Sequence, residues 1–136
     1  LQLTLTEQLT LTASGKIEVS EKGYLGAHQT GNETNNGQTI TTLTGATLSA
    51  GASHAGLGLL SANTNASYGS LNAPALLGSG GASSDSNTPA GNGGGLVRIS
   101  AKNMLINGNI PAILNLKLFN KHLILNKNNF VMRGLA

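Results

Sequence analysis

"LQLTLTEQLTLTASGKIEVSEK", residues 1–22, puts Leu1, Leu3 and Leu5, then Leu9, Leu11 and Ala13, then Ile17 and Val19 on alternate positions. Successive side chains of a strand point to opposite faces, so each of these runs offers one apolar face to a core. Breaks at Glu7-Gln8 and Ser14-Gly15 divide the stretch into three short strands. Corners of one or two residues are too short to join parallel neighbours in one sheet, and no Asn-Gly pair or similar hairpin signal separates the runs. A solenoid meets both constraints, because each strand then pairs with its equivalent one coil away and no crossover helix is needed.

A mate for this first coil stands near the other end of the chain. "NMLINGNI" (103–110) repeats the pattern of "LTLTASGKIEVS" (9–20): an apolar strand, a glycine (Gly108, Gly15), then isoleucine two residues on (Ile110, Ile17). The two segments are expected to lie side by side as successive rungs. The fold class that follows is all-β, a parallel β-helix (solenoid) fragment over residues 1–110, with residues 23–95 as a long glycine-rich loop excursion.

Composition agrees with repetitive β structure better than with an ordinary enzyme. Charged residues are 10% of the 136, against roughly 25% in an average soluble domain. Aromatic residues are 3% and tryptophan is absent. With no cysteine, disulfides, thiolate catalysis and cysteine metal sites are excluded together. The chain opens on leucine, without a charged and apolar leader, and reads as a piece of a longer protein.

The middle segment, 23–95, holds sixteen of the nineteen glycines and two formal charges, Glu33 and Asp85. Such a segment is either a disordered linker or a loop folded against the solenoid side. Leu57, Leu59, Leu60, Tyr68, Leu71, Leu76 and Leu77 argue for packing, with the glycines expected to permit tight folding and positive φ. "GSGGASSDSNTPAGNGGG" (78–95) is read as a turn that delivers residues 96–101 back to the stack.

Tests for specific chemistry mostly fail. Gly93-Gly94-Gly95 runs straight into Leu96-Val97-Arg98-Ile99 with no Lys-Ser/Thr and no helix to follow, so it is no phosphate loop. "GGASSD" (80–85) is similar to a calcium-binding nonapeptide, but Ser83 replaces its third glycine and no tandem copy exists. His28, His54 and His122 are too far apart for a local ligand motif. Threonines 4, 6, 10 and 12 form an outward row of the kind seen in ice-binding ladders, which "RIS" and "LIN" do not continue. Asn32-Glu-Thr and Asn65-Ala-Ser match the glycosylation acceptor pattern, as chance predicts in so Asn-, Ser- and Thr-rich a chain. Polysaccharide cleavage needs paired acids; Glu7, Glu18 and Glu21 sit near the first coil, and Glu18 with Glu33 is one possible pair.

Taken in order, "SGKIEVSEKGYLGA", "GASHAGLG", "YGSLNAPALLGSGGASS" and "GNGGGLVRISAKNMLINGNI" resemble the glycine-rich repeat of large secreted or surface-displayed microbial proteins. The resemblance covers about residues 9–110. It implies a parallel β-helix stalk with compact glycine-rich excursions, a structural or adhesive role, an extracellular or cell-surface location, and no catalytic residues, cofactor or metal. The loop positions it carries over are Gly23, Tyr24, His54, Gly56, Tyr68, Gly69, Gly78, Gly80, Gly81 and Gly93 to Gly95. Ala55 and Leu57 depart from the pattern's glycines. Glycans, other surface proteins and adjoining coils of a longer chain are the implied partners, without nucleic acid and without a membrane span. The alternative is a fragment of a carbohydrate-active β-helix, a polysaccharide lyase or hydrolase.

After Ile110 the composition changes to Asn, Lys, Leu and Ile, with one glycine and no acid; all six charges from Arg98 onward are positive. Residues 111–136 read as an atypical C-terminal tail, poorly ordered or shifted in frame near Pro111. Reading the source DNA in its other frames tests the shift.

Overall fold

The computed structural model describes residues 1–59, 61–110 and 113–125, with Ser61 and residues 113–125 described by their backbone. Among the described residues four strands form: β1 (Gln2–Thr4), β2 (Gln8–Leu11), β3 (Leu96–Ile106) and β4 (Ile113–Leu125). The one helical element among the described residues is a 3-10 turn at Ser61–Asn63. The chain is therefore all-β, built on a small parallel sheet of four strands.

β3 is the middle strand. Gln2–Thr4 stand opposite Arg98–Ser100, and Gln8–Leu11 opposite Asn103–Ile106. The same β3 residues pair with β4, Arg98 with Asn115 and Ile106 with Leu125. A strand has two edges, so β1 and β2 lie end to end along one edge and β4 runs along the other. A parallel bridge between Lys16 and Asn109 carries the pairing further, with Asn109 N–H donating to Gly15 (3.0 Å) and Ile17 N–H to Asn109 (3.0 Å). The two segments that share a sequence pattern are thus neighbours, Gly15 beside Gly108. The third strand expected around Ile17–Val19 is only this bridge, because the Val19 carbonyl turns to Gly95 N–H (2.9 Å) and Lys22 N–H (3.2 Å) instead.

The spacing of β3 and β4 requires β3 to bend. At about 3.3 Å per residue its 11 residues would stretch about 33 Å if straight. β4 starts opposite Leu96, so the chain must return from Ile106 to that end by Ile113. Seven residues reach at most about 25 Å. The register irregularity between Ala101 and Asn103 is where the strand turns, and a bulge is the usual device for it.

Period two decides what is buried. Val97, Ile99, Ala101, Met104, Ile106 and Ile110 are buried with Val19, and Leu3, Leu5, Leu9, Leu11 and Ile17 pack against them. The register stacks these positions in columns: Leu3 beside Ile99, Leu9 beside Met104, Leu11 beside Ile106. On β4, Leu116, Leu123 and Leu125 hold the matching register positions. Threonines 4, 6, 10 and 12 are exposed, but Thr4 stands opposite Ser100 and Thr10 opposite Leu105, so they make no ladder. On the outer surface Glu18 pairs with Lys16 and Glu7 with Lys102 (3.7 Å). Hydrogen bonds from the Lys16 ammonium and from Ser20 hold the Glu18 carboxyl down from its ordinary value to about 2.

The segment expected to be an atypical tail supplies β4; residues 111–112 and 126–136 lie outside the described residues, as does Leu60.

Candidate functional site: a glycine-packed bundle

Residues 23–95 fold back on themselves through backbone hydrogen bonds, without forming a sheet. In a sheet, the two neighbours of a strand do not touch each other. Here three segments, 23–27, 78–82 and 90–94, bond in all three pairings. Tyr24 N–H donates to Gly78 (2.9 Å) and Ala27 N–H to Gly81 (2.9 Å); Gly23 N–H donates to Gly93 (2.8 Å) and Gly93 N–H to Tyr24 (2.8 Å); Gly78 N–H donates to Gly94 (2.9 Å) and Gly81 N–H to Gly91 (3.0 Å). A plane cannot hold three mutual neighbours, so the segments form a solid bundle. Gln38 joins from a fourth side, donating to Leu25 (2.8 Å) and accepting from Gly80 (3.0 Å).

The glycines are there for contact, as at the axis of collagen, where only glycine fits. A Cβ on Gly23 would come within 2.6 Å of Gly78 O and Gly94 O, on Gly80 within 2.0 Å of Leu25 O, on Gly93 within 1.9 Å of Gly78 O, and on Gly95 within 2.7 Å of Val19 O. Gly78 meets Gly94 N at 2.8 Å. The expectation that these glycines serve positive φ is corrected: among the glycines of the described residues only Gly31 and Gly69 have it. Of the carried-over positions, Gly81 makes ordinary contacts, and Gly56 and Gly94 face open space. The sequence reading missed Gly26, Gly37, Gly45 and Gly58, each of whose Cβ would strike a backbone oxygen at 2.4 Å or less. Since backbones touch, the space left is filled by methyl groups: Ala46, Ala50 and Ala82 make a second small core.

Amide side chains finish the backbone bonding. The Asn32 amide donates to Gly26 (2.9 Å) and Asn36 (2.8 Å), and Asn92 Oδ1 accepts from Gly26 N–H (2.8 Å). Asn65, 2% exposed, accepts from Ser53 N–H and donates to the carbonyls of Ser53 (2.8 Å) and Ala66 (2.9 Å). Both sequon asparagines are therefore structural. Asn65→Ala is expected to cost about 2 kcal/mol, since it strands the buried N–H and C=O of Ser53; chemical denaturation measures it, with Asn72→Ala, on the exposed surface, as the neutral control.

His54 and Tyr68 meet edge to face with centroids 4.9 Å apart. Tyr68 N–H donates to the His54 carbonyl (3.0 Å), and a Cβ on Gly69 would lie 2.7 Å from His54 Nε2. That Nε2 is buried without a hydrogen-bond partner. The Tyr68 hydroxyl donates to Leu77 (2.6 Å) and accepts from Ser79 (2.9 Å), whose hydroxyl also bonds Thr39 (2.8 Å). These contacts tie the outer part of the excursion to its bundle.

The acids have local occupations. Glu33 accepts from Gly31 N–H (3.2 Å). Asp85 accepts from Asn87 N–H (2.9 Å) and the Thr88 hydroxyl (2.8 Å), and these bonds lower its pKa. No three His, Asp or Glu side chains among the described residues come close enough to share a metal. Between Thr34 and Ser84 the sequence has no Asp, Glu, Lys or Arg, yet Leu48, Leu57, Leu59, Leu71 and Leu76 of this stretch are exposed, Leu59 by 81%. An open cleft of ≈ 460 Å³ in the same stretch is lined by groups that include Thr42, Thr44, Thr47, Asn63 and Leu43.

No helix among the described residues is long and apolar enough to cross a membrane. Comparison with protein-family models, curated proteins and solved structures finds no match.

Proposed function

We propose that the chain is a structural and adhesive segment of an extracellular surface protein, with no catalysis of its own: parallel β coils serve as the stalk, and the bundle is a rigid head that meets the partner. The observation that carries this reading is the uncharged stretch 34–84, held by backbone bonds and showing five leucines to solvent. In this reading the exposed leucines serve as one apolar interaction surface, of the kind that contiguous exposed apolar side chains mark. The bend in β3 and the return to its start within one short connection support reading the sheet as stacked coils of a β-helix.

Partners that fit are neutral glycans and uncharged patches of other surface proteins, because the stretch 34–84 has hydroxyl, amide and leucine groups but no Asp, Glu, Lys or Arg to form an ion pair. Binding of the full chain to surfaces coated with neutral glycans or with surface proteins is expected to persist as salt is raised through the range that screens surface charge. It should fall by more than tenfold when Leu57, Leu59 and Leu71 are changed together to serine. Salt-sensitive binding, or binding indifferent to those three substitutions, overturns the proposal.

A further inference from the structure

We propose that the cleft lined by segments 42–47 and 62–66 is a binding site for a neutral sugar of one or two rings. The choice of a glycan rests on the adhesive reading; the cleft adds where the sugar sits and which groups hold it. At ≈ 460 Å³ the cleft falls within the size of ligand sites, about 300–1,000 Å³. Its walls are fixed by the chain's own bonds. Leu43 N–H donates to Ile40 (3.0 Å), the Ala46 carbonyl accepts from Gly37 N–H (3.0 Å), and Thr47 N–H donates to Asn63 (2.8 Å), which ties one wall to the other. Asn65 anchors the second wall through its bonds to Ser53 and Ala66. A preformed site loses little binding energy to ordering.

The lining selects the ligand. Asn32, Thr39 and Asn65 use their side chains on bonds inside the protein, whereas Thr42, Thr44, Thr47 and Asn63 make no side-chain hydrogen bond among the described residues. Their hydroxyl and amide groups both donate and accept. Sugar hydroxyls do the same, so each can be met in either sense. Leu43, half-buried in the same lining, gives an apolar contact for the C–H groups of a ring face. The described residues that line the cleft carry no charge, so a carboxylate or phosphate entering it would lose water without gaining an ionic partner.

Titration of the full chain with glucose, galactose, mannose and N-acetylglucosamine, followed by methyl NMR signals, tests the site. At least one of the four is expected to shift Thr42, Leu43 and Thr44 with a Kd on the order of 1 mM, the strength open to so small a ligand. Ile99, in the sheet core, should not move, and glucuronate and galacturonate should shift nothing at the same concentrations. Thr42→Val with Thr44→Val keeps the side-chain shape, removes two hydroxyls from exposed positions, and should weaken binding by about tenfold with the unfolding midpoint unchanged. No shift at those methyls with any of the four sugars, shifts confined to the exposed leucines, or binding untouched by the two valines overturns the proposal; a cleft filled by another part of a longer chain would give the first of these. The two readings fail separately. Surface binding that depends on Leu57, Leu59 and Leu71 without any sugar shift removes the site and leaves adhesion standing, while sugar shifts in a chain that adheres to no surface leave the site and remove adhesion.

Discussion

Gly80→Ala is expected to break the bundle, at a cost on the order of 4 kcal/mol or more, the range reserved for changes that the surroundings cannot absorb. The new methyl would sit 2.0 Å from Leu25 O, 2.3 Å from Leu25 C and 2.5 Å from Gly26 N. All three are backbone atoms of a segment that is itself bonded to two others, so no side chain can swing aside. Moving segment 23–27 outward would break the bonds from Tyr24 to Gly78 and from Ala27 to Gly81. Gly94→Ala is the control. It lies in the same glycine run, but nothing stands within 4 Å of its would-be Cβ and its φ is not positive, so it should leave the protein unchanged or stabilise it by up to about 1 kcal/mol through a less flexible unfolded chain. Tyr24 and Tyr68 are the only tyrosines and both belong to the excursion; their fluorescence during urea unfolding reads the difference. Equal losses from the two substitutions would mean that glycine content, and not close contact, shapes this region.

Ile99→Ala is expected to cost about 3 kcal/mol, the lost transfer energy of the side chain plus the cavity it leaves. Ile99 is fully buried in the column between Leu3 and the Leu116 position, where rigid strands on both sides limit collapse. Its neighbour Arg98 points to the other face, and Arg98→Ala should change stability by less than about 0.5 kcal/mol. The loss of sheet signal on chemical denaturation measures both. Similar costs at 98 and 99 would contradict the period-two burial on which the fold rests.

The sheet was legible because its signal is local. Alternation in residues 1–19 marks Leu3, Leu9, Leu11, Ile17 and Val19 as inward, and the shared pattern around Gly15 and Gly108 points to their pairing across more than ninety residues. The bundle was not legible to the same degree. Sequence shows that 23–95 is rich in glycine, but Gly80 and Gly94 differ only in what other segments bring against them, and those segments are far away along the chain. Composition therefore identified both as loop glycines without separating the one that must be glycine from the one that need not be. Asn32 and Asn65 were obscured for another reason: their acceptor patterns are what chance predicts in so Asn-, Ser- and Thr-rich a chain, and nothing local marks the bonds their amides make to backbone groups of other segments. The β4 pairing was hidden by the change in composition after Ile110, which masked the leucine alternation of 114–118.

The bundle leaves and rejoins the sheet at one place, with Gly23 bonded to Gly93 and Gly95 bonded to Val19. A long insertion whose two ends are clamped together makes little demand on the rest of the chain, because the entropy of closing a loop grows only slowly with its length. Exposed turns beyond that clasp can be lengthened, shortened or exchanged while Val19 and Leu96 stay where they are. The platform is thus a natural acceptor for grafted segments, and related chains can be expected to differ most at the exposed positions between residues 34 and 77 while keeping the glycines and alanines packed against the neck.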